Sequence, residues 1–287
     1  MTQSSGARTI GGFLTMATNA LVDAHIPSAK LDSELLLVSI INQSREYLLA
    51  HDDQPLSQAD WAQACYLLAQ RIQRVPVAYL TGHKEFYNRN FLVTPNVLIP
   101  RPESEQLIES LAKIIAHDDS VKQIADIGTG SGCLAITAKL EHPQLIVTAS
   151  DTSAAALTVA KDNAVNLNTN VAFIKSDLLA QYPIDQPLDA IIANLPYVSK
   201  NWDGLANYPE LYREPAEALF ASDNGCDLIK KLIFTAPLYL RHKGYLLLEL
   251  DTRQLTDISV FANDHGFTVI DQKPFTLVLQ LDRKSDC

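Results

Sequence analysis

Long apolar runs are missing from this chain. The longest, such as Leu35 to Ile41 and Tyr245 to Leu250, fall far short of the roughly 20 residues that cross a bilayer, which excludes a membrane-spanning helix. Positive charge is also scarce: 23 Lys and Arg stand against 33 Asp and Glu, a formal net charge of −10. A broad nucleic-acid-binding face needs phosphate-neutralising lysines and arginines, so no extended nucleic-acid partner is expected. The four cysteines, Cys65, Cys133, Cys226 and Cys287, lie far apart without C-x-x-C spacing, which predicts reduced thiols rather than zinc or redox chemistry. The seven histidines, His25 to His265, show no H-E-x-x-H or other ligand spacing, so no metal is expected. Met1 to Gly12 holds one arginine and no continuous apolar stretch; this predicts no cleaved secretory signal and a cytoplasmic location. There is no internal repeat and no low-complexity tract.

What the chain does have is enough apolar material for a sizeable core, 47% hydrophobic residues over 287 positions, and a length that suggests about two domains at roughly 150 residues each. From Thr9 to Arg74 apolar positions recur at helical spacing, as in Leu21, Leu31, Leu35, Val38 and Ile41, then Trp61, Cys65, Leu68 and Ile72. Pro27 and Pro55 punctuate this stretch, with Ser28 and Ser57 as candidate N-caps, which predicts about four short helices. Residues 1–74 therefore read as a helical docking domain. Residues 75–97 change to alternating aromatic and β-branched positions around Asn88-Arg89-Asn90, a hairpin linker. Residues 98–287 read as the second domain.

In that domain short β-rich runs alternate with helical stretches: Ile124 to Ile127, Leu145 to Ser150, Val171 to Ile174, Leu188 to Ala193 and Gly244 to Leu250. Such alternation predicts βαβ units and a parallel sheet. Phe267 to Ile270 and Phe275 to Leu281 are too close for a helix between them and should pair antiparallel at the sheet edge.

Chemistry concentrates at the ends of these predicted strands. The loop Gly128-Thr129-Gly130-Ser131-Gly132, preceded by Asp126, joins a strand to a helix, where glycines let a ligand approach the main chain. Alone this is a weak signal, because a tight turn needs glycine too. Asp151 ends the next strand, where a carboxylate can accept from both hydroxyls of a ribose. Asp177, with Leu178 beside it, ends the third, where it can take the amino group of an adenine. Each aspartate alone is more often a capping or solvated residue; three at successive strand ends indicate a nucleoside cofactor, because ligands of open α/β sheets sit there. Nicotinamide dinucleotide and S-adenosylmethionine both fit. The spacing is G-x-G-x-G rather than the dinucleotide G-x-G-x-x-G, and it resembles the first motif of S-adenosylmethionine-dependent methyltransferases.

The fourth strand ends in Asn194-Leu195-Pro196-Tyr197, which resembles the (N/D)-P-P-(Y/F) signature of enzymes that methylate a planar conjugated NH2 group. Such a nitrogen has its lone pair delocalised and is a poor nucleophile. The Asn194 side-chain oxygen and the Leu195 carbonyl could accept from its two N–H groups, and Tyr197 could cover its flat face and exclude water. No strong base is needed, because the nitrogen turns acidic as the methyl arrives. The competing reading is a plain turn after a buried strand. Leu195 stands where the first proline is usual; Pro196 still biases it toward extended backbone.

Further upstream, Val75 to Gly82, Glu85-Phe86 and Leu98-Ile99-Pro100-Arg101-Pro102-Glu103-Ser104-Glu105, with the later Arg213-Glu214-Pro215, make the chain similar to the PrmC/HemK family, the glutamine-N5 methyltransferases of peptide chain release factors. The resemblance runs from about Leu31 to Leu250. It implies a Rossmann-like class I methyltransferase domain, with a mostly parallel seven-stranded sheet and an antiparallel C-terminal strand, behind a small all-α N-terminal domain. It implies methyl transfer from S-adenosylmethionine to the glutamine amide of a Gly-Gly-Gln release-factor loop by a cytoplasmic monomer. In that implied site Gly128, Thr129, Gly130, Ser131 and Gly132 cradle the cofactor, Asp151 holds its ribose, and Asp177 with Leu178 bounds its adenine. Asn194, Leu195, Pro196 and Tyr197 present the glutamine, with Asn194 also beside the cofactor. Phe86, Arg101 and Glu103 match positions beside the pocket without a definite role. A glutamine methyltransferase of a ribosomal protein, an adenine-N6 methyltransferase and a non-catalytic binding module are the alternatives.

Overall fold

The structure is a computed structural model that describes residues 8–282; Cys287 and the first seven residues of the N-terminal stretch lie outside the described residues. Two compact units divide between His83 and Lys84. No helix among the described residues is long and apolar enough to cross a membrane.

The first unit contains α1 (Ile10–Asp23), α2 (Ala29–Ile41), α3 (Arg45–Ala50), α4 (Gln58–Ile72) and α5 (Val77–Thr81). Ser57 caps α4, its hydroxyl accepting from Asp60 N at 3.0 Å. Ser28 precedes α2 without a capping hydrogen bond, because its backbone (φ −89, ψ 19) is not the extended one that aims a capping side chain. The stripe read on α2 is also corrected. Leu31 is 42% exposed, whereas Asp32, Ser33 and Glu34 are buried beside Leu36 and Leu37. Two arginines explain this burial: Arg71 Nε donates to Asp32 Oδ2 at 2.7 Å, and Arg45 pairs with Glu34. Helix α2 touches α1, α3, α4 and α5, so it buries a wide surface rather than one stripe. Phe13 and Trp61 meet edge-on at 5.9 Å in the core of this unit.

Strands β1 (His83–Phe86) and β2 (Arg89–Leu92) form a two-stranded hairpin. Its turn residues, Tyr87 and Asn88, are both left-handed (φ 49 and 57), the combination of a type I′ turn whose twist suits paired strands. Then come α6 (Glu105–His117), β3 (Gln123–Ile127), α7 (Cys133–Glu141), β4 (Ile146–Asp151), α8 (Ala154–Asn166), β5 (Ala172–Lys175) and β6 (Leu188–Ala193). The chain closes with α9 (Ala216–Leu219), α10 (Asp227–Thr235), β7 (Leu240–Glu249), α11 (Leu255–Asp264), β8 (Phe267–Lys273) and β9 (Thr276–Leu281).

Seven strands join in the order β5-β4-β3-β6-β7-β9-β8. Those from β3 to β7 run parallel, while β9 is antiparallel to both β7 and β8, as expected from the short connection at Pro274. Ala190, Ile191, Ile192 and Ala193 of β6 are all wholly buried, the continuous apolar run of a central strand covered on both faces. Register then sets the site. Ile127 lies beside Ser150 and Ala193, and Ala193 beside Leu248. Gly128, Asp151, Asn194 and Glu249 therefore emerge at neighbouring carboxyl ends.

Candidate functional site

Past the carboxyl ends of these strands opens a cleft enclosing about 1010 Å³ of space, its solvent mouth included. Gly128, Thr129, Gly130, Ser131, Asp151, Asp177, Leu178, Asn194, Leu195 and Pro196 line it, and so does Arg101. Gly132, Tyr197, Phe86 and Glu103 are not on its wall.

The glycine loop is tied down from below. Asp126, fully buried, accepts from Thr129 Oγ1 at 2.6 Å and from Ala135 N at 3.1 Å through the same oxygen. Burial pushes its carboxyl up to about 6. The amides of Gly128 and Thr129 both donate to Ser150 O. Gly130 (φ +54) has no protein atom within 4 Å of where a Cβ would stand, so its open side faces the space a ligand would occupy. Gly128 answers to a different neighbour, because a Cβ there would stand 2.9 Å from Leu195 Cδ2. Gly132 belongs to the packing rather than to the cradle. At φ +82 it starts α7, and a Cβ would press Ile136 Cδ1 at 2.9 Å and Ala160 Cβ of α8 at 3.2 Å.

Asp151 is half-buried. One oxygen accepts from Gly130 N and the other from Ser153 N, each at 2.9 Å, which fixes the carboxylate at the cleft wall. Asp177 is exposed, and the following Leu178 is left-handed (φ 48), held in that uncommon backbone by Ser176 Oγ donating to its carbonyl at 2.8 Å. This acidic, glycine-opened wall fits an adenosine cofactor. Cys133 also lines the cleft, but burial pushes its thiol up to about 12, so no thiolate nucleophile is on offer.

Asn194 Nδ2 donates to Ser104 Oγ at 3.1 Å, and both residues line the cleft. Tyr197 turns its hydroxyl down to Glu249 Oε1 at 3.1 Å, and burial raises its phenol well above the ordinary range. The Tyr197 carbonyl accepts from Gln254 Nε2 at 3.0 Å, and the same nitrogen donates to Asn224 O at 2.9 Å. Gly225 (φ +87) closes this clamp: a Cβ on it would stand 1.9 Å from the Tyr197 carbonyl oxygen. Replacing Gly225 by Ala is therefore expected to cost about 2–4 kcal/mol, read from the urea midpoint, and to shift the Tyr197 backbone enough to raise KM for the methyl acceptor.

Arg101 pairs with the buried Glu214, whose other oxygen accepts from Ile99 N at 3.0 Å. One carboxylate thus joins the Ile-Pro-Arg-Pro stretch to the Arg-Glu-Pro stretch across the cleft wall. Phe86 is core, 1% exposed and edge-on to Phe91 at 6.1 Å, and Glu103 is exposed. Glu249, Gln254 and Gly225 escape a motif reading, and Ser104, though inside the Ile-Pro-Arg-Pro-Glu-Ser-Glu stretch, carried no role there. Glu249 carried one signal, an acidic residue inside the apolar run from Tyr245 to Leu250 at a strand end.

Two family models match the chain, PrmC N-terminal domain over residues 13–82 and methyltransferase small domain over residues 102–269. The release factor glutamine methyltransferase of Koribacter versatilis is 38% identical over 82% of this chain and 83% of its own length. The protein of the same name from Coxiella burnetii is 36% identical over 84% and 86%. Among solved structures, a methyltransferase from Pyrococcus furiosus superposes with a TM-score of 0.51 at 18% identity, over 79% of this chain and all of its own. At that identity the likeness speaks for the fold, the class I methyltransferase architecture with its antiparallel closing strands.

Proposed function

The chain belongs to the release factor glutamine methyltransferase family, and we propose that it transfers a methyl group from S-adenosylmethionine to the side-chain amide N5 of the Gly-Gly-Gln glutamine of a peptide chain release factor. The observation that carries this reading is the orientation of Asn194. Its nitrogen is spent on Ser104, which leaves Oδ1 free to accept an N–H of a planar amide at the cleft wall. The Leu195 carbonyl is the candidate acceptor for the second N–H.

S-adenosylmethionine, when bound, supplies an electrophilic methyl on a sulfonium. The chain's residues bind and orient. Asp151 offers a carboxylate to the ribose, Asp177 and Leu178 border the adenine, and Gly128 to Ser131 leave room for the cofactor to lie against the backbone. Two acceptors holding the amide hydrogens fix the nitrogen's direction of approach, which converts an encounter of poor reactants into a near-attack geometry. The surplus proton then leaves to solvent, because a methylating amide nitrogen is strongly acidic. Tyr197 supports the motif from beneath, and its raised phenol keeps it a neutral hydrogen-bond donor. The helical unit is the candidate docking surface for the release factor. Release factors work on ribosomes, which favours the cytoplasm.

Incubation with a release factor and methyl-labelled S-adenosylmethionine should place label on the peptide carrying Gly-Gly-Gln, and none on a ribosomal protein or bare RNA. An unlabelled peptide from a preparation that binds the cofactor would end this reading.

A further inference from the structure

Asn163 is not on the cleft wall, yet it holds the loop that is. It lies on α8, 1% exposed, and its side chain bonds two segments far from it in the chain. Oδ1 accepts from Leu92 N at 2.7 Å. Nδ2 donates to Leu92 O and to Ser131 O, each at 2.9 Å. Chemistry fixes this orientation, because two carbonyls need a donor and a backbone N–H needs an acceptor. A carboxylate in its place would set acceptor against acceptor at both carbonyls, and a hydrocarbon would leave all three groups unpaired in the interior.

Leu92 closes β2, so its two bonds to Asn163 pin the end of the hairpin as a rung of a strand ladder would. The third bond reaches the glycine loop. Ser131 is 2% exposed and lines the cleft. The peptide that joins it to Gly132 is held at both ends: Gly132 N donates to Thr129 O at 2.8 Å, and Ser131 O takes Asn163 Nδ2. Both ties matter because Gly132, at φ +82, has no Cβ to resist a rotation of that peptide. A rotated peptide would break the bond to Thr129 O and displace the backbone on either side of Gly130, whose open side faces the cleft.

We propose that Asn163 is a positioning residue of the cofactor site: it holds the Ser131–Gly132 peptide in the orientation that leaves the open side of Gly130 to the cofactor, and it ties that orientation to the hairpin through Leu92. The inference rests on the S-adenosylmethionine half of the proposed function and is independent of the methyl acceptor. The hairpin keeps other anchors without Asn163. Tyr87 N donates to Glu105 Oε1 at 2.8 Å, Arg89 pairs with Glu141, and Phe86 and Phe91 are packed in the core. Loss of the Asn163 amide should therefore loosen the loop more than it undoes the fold.

The test is the Kd for S-adenosylhomocysteine by calorimetry, with folding followed by thermal unfolding, for Asn163→Ala, Asn163→Asp and Phe91→Leu. The first two should each raise Kd about 5- to 50-fold, as when the binding-competent loop is populated about a fifth to a fiftieth of the time. Asn163→Asp keeps an acceptor for Leu92 N but offers no hydrogen to Ser131 O. Phe91, wholly buried, belongs to the same hairpin and touches none of these bonds, so Phe91→Leu should lower the unfolding temperature and leave Kd within about twofold of wild type. In the wild-type protein, saturation with S-adenosylhomocysteine should slow hydrogen exchange of the Leu92 amide more than that of the Tyr87 amide, because the first bonds Asn163 and the second Glu105. Wild-type Kd in both Asn163 variants, an equal rise in Phe91→Leu, or equal slowing of the two amides would each overturn the inference. Should neither Asn163 variant fold, the exchange rates of the wild type decide it alone. A wild-type protein that binds no S-adenosylhomocysteine would overturn the cofactor reading, and the inference with it.

Discussion

Asn194→Ala should lower kcat for release-factor methylation by about 100-fold or more, with cofactor affinity within about twofold of wild type. Its side chain makes one hydrogen bond within the protein, to Ser104, and none to the glycine loop, so truncation removes an acceptor for the substrate amide and leaves the cofactor wall alone. Asp151→Ala should do the reverse. Its two oxygens are set by Gly130 N and Ser153 N at the cleft wall, so its loss should weaken cofactor binding by about 1–3 kcal/mol for charge-assisted hydrogen bonds, roughly 5- to 150-fold in Kd. Saturating cofactor should then restore much of the Asp151→Ala rate and none of the Asn194→Ala rate. Calorimetry against the cofactor and kinetics at two cofactor concentrations separate the variants. If both turned over like the wild type, the assignment of the site would fail.

The parts of this site that lie contiguous in the chain were readable from it. A glycine loop, an aspartate closing the next strand and Asn-Leu-Pro-Tyr closing a later one are local patterns, and the parallel sheet they imply aligns their strand ends. Contacts made through register were not readable. Ser104 and Asn194 stand 90 positions apart and meet because the turn ahead of α6 reaches the end of β6, while Tyr197 and Glu249 stand 52 apart and meet because β6 pairs with β7. Helix α2 gives the same lesson in the other unit: Leu31, Leu35 and Val38 have the spacing of a core face, yet Asp32 and Glu34 are the buried positions because Arg71 and Arg45 arrive from other helices. Periodicity reports apolar faces and is blind to an ion pair that brings polar residues inside. Gly132 shows a third limit. Its spacing places it in the nucleotide loop, while a Cβ there would press Ile136 of its own helix and Ala160 of α8, the second a contact that depends on how closely two helices approach.

Burial also fixes the direction in which stability responds to pH. Desolvation is the main cause that raises the Glu249 carboxyl from 4.5 to about 7, and it raises Asp126 from 3.8 to about 6. A carboxyl raised by folding binds its proton more tightly in the native state than in the unfolded chain. The stability it contributes is present in full below the unfolded value and is lost as pH rises through the folded one. For Glu249 that window runs from about 4.5 to about 7. Asp118 has the opposite sign: Ser120 and Arg241 hold it down to about 2, so its contribution is present above the ordinary carboxylate range and is lost only in stronger acid. His142, lowered by burial, loses its contribution as pH falls through the ordinary imidazole range and partly offsets the carboxyls in the wild type. Comparing wild type with Glu249→Gln cancels those other groups. The variant is expected to be more stable than wild type at pH 8 by on the order of 3 kcal/mol, because an amide has no charge to desolvate, and the gap should close toward pH 4.5. Guanidinium unfolding of both proteins at the two pH values measures it. A Gln variant less stable than wild type at pH 8 would mean that the Tyr197 hydroxyl outweighs desolvation. The pH dependence of the gap thus separates the cost of burying the charge, which vanishes as the carboxyl takes up its proton, from the Tyr197 hydrogen bond, which a neutral carboxyl still accepts.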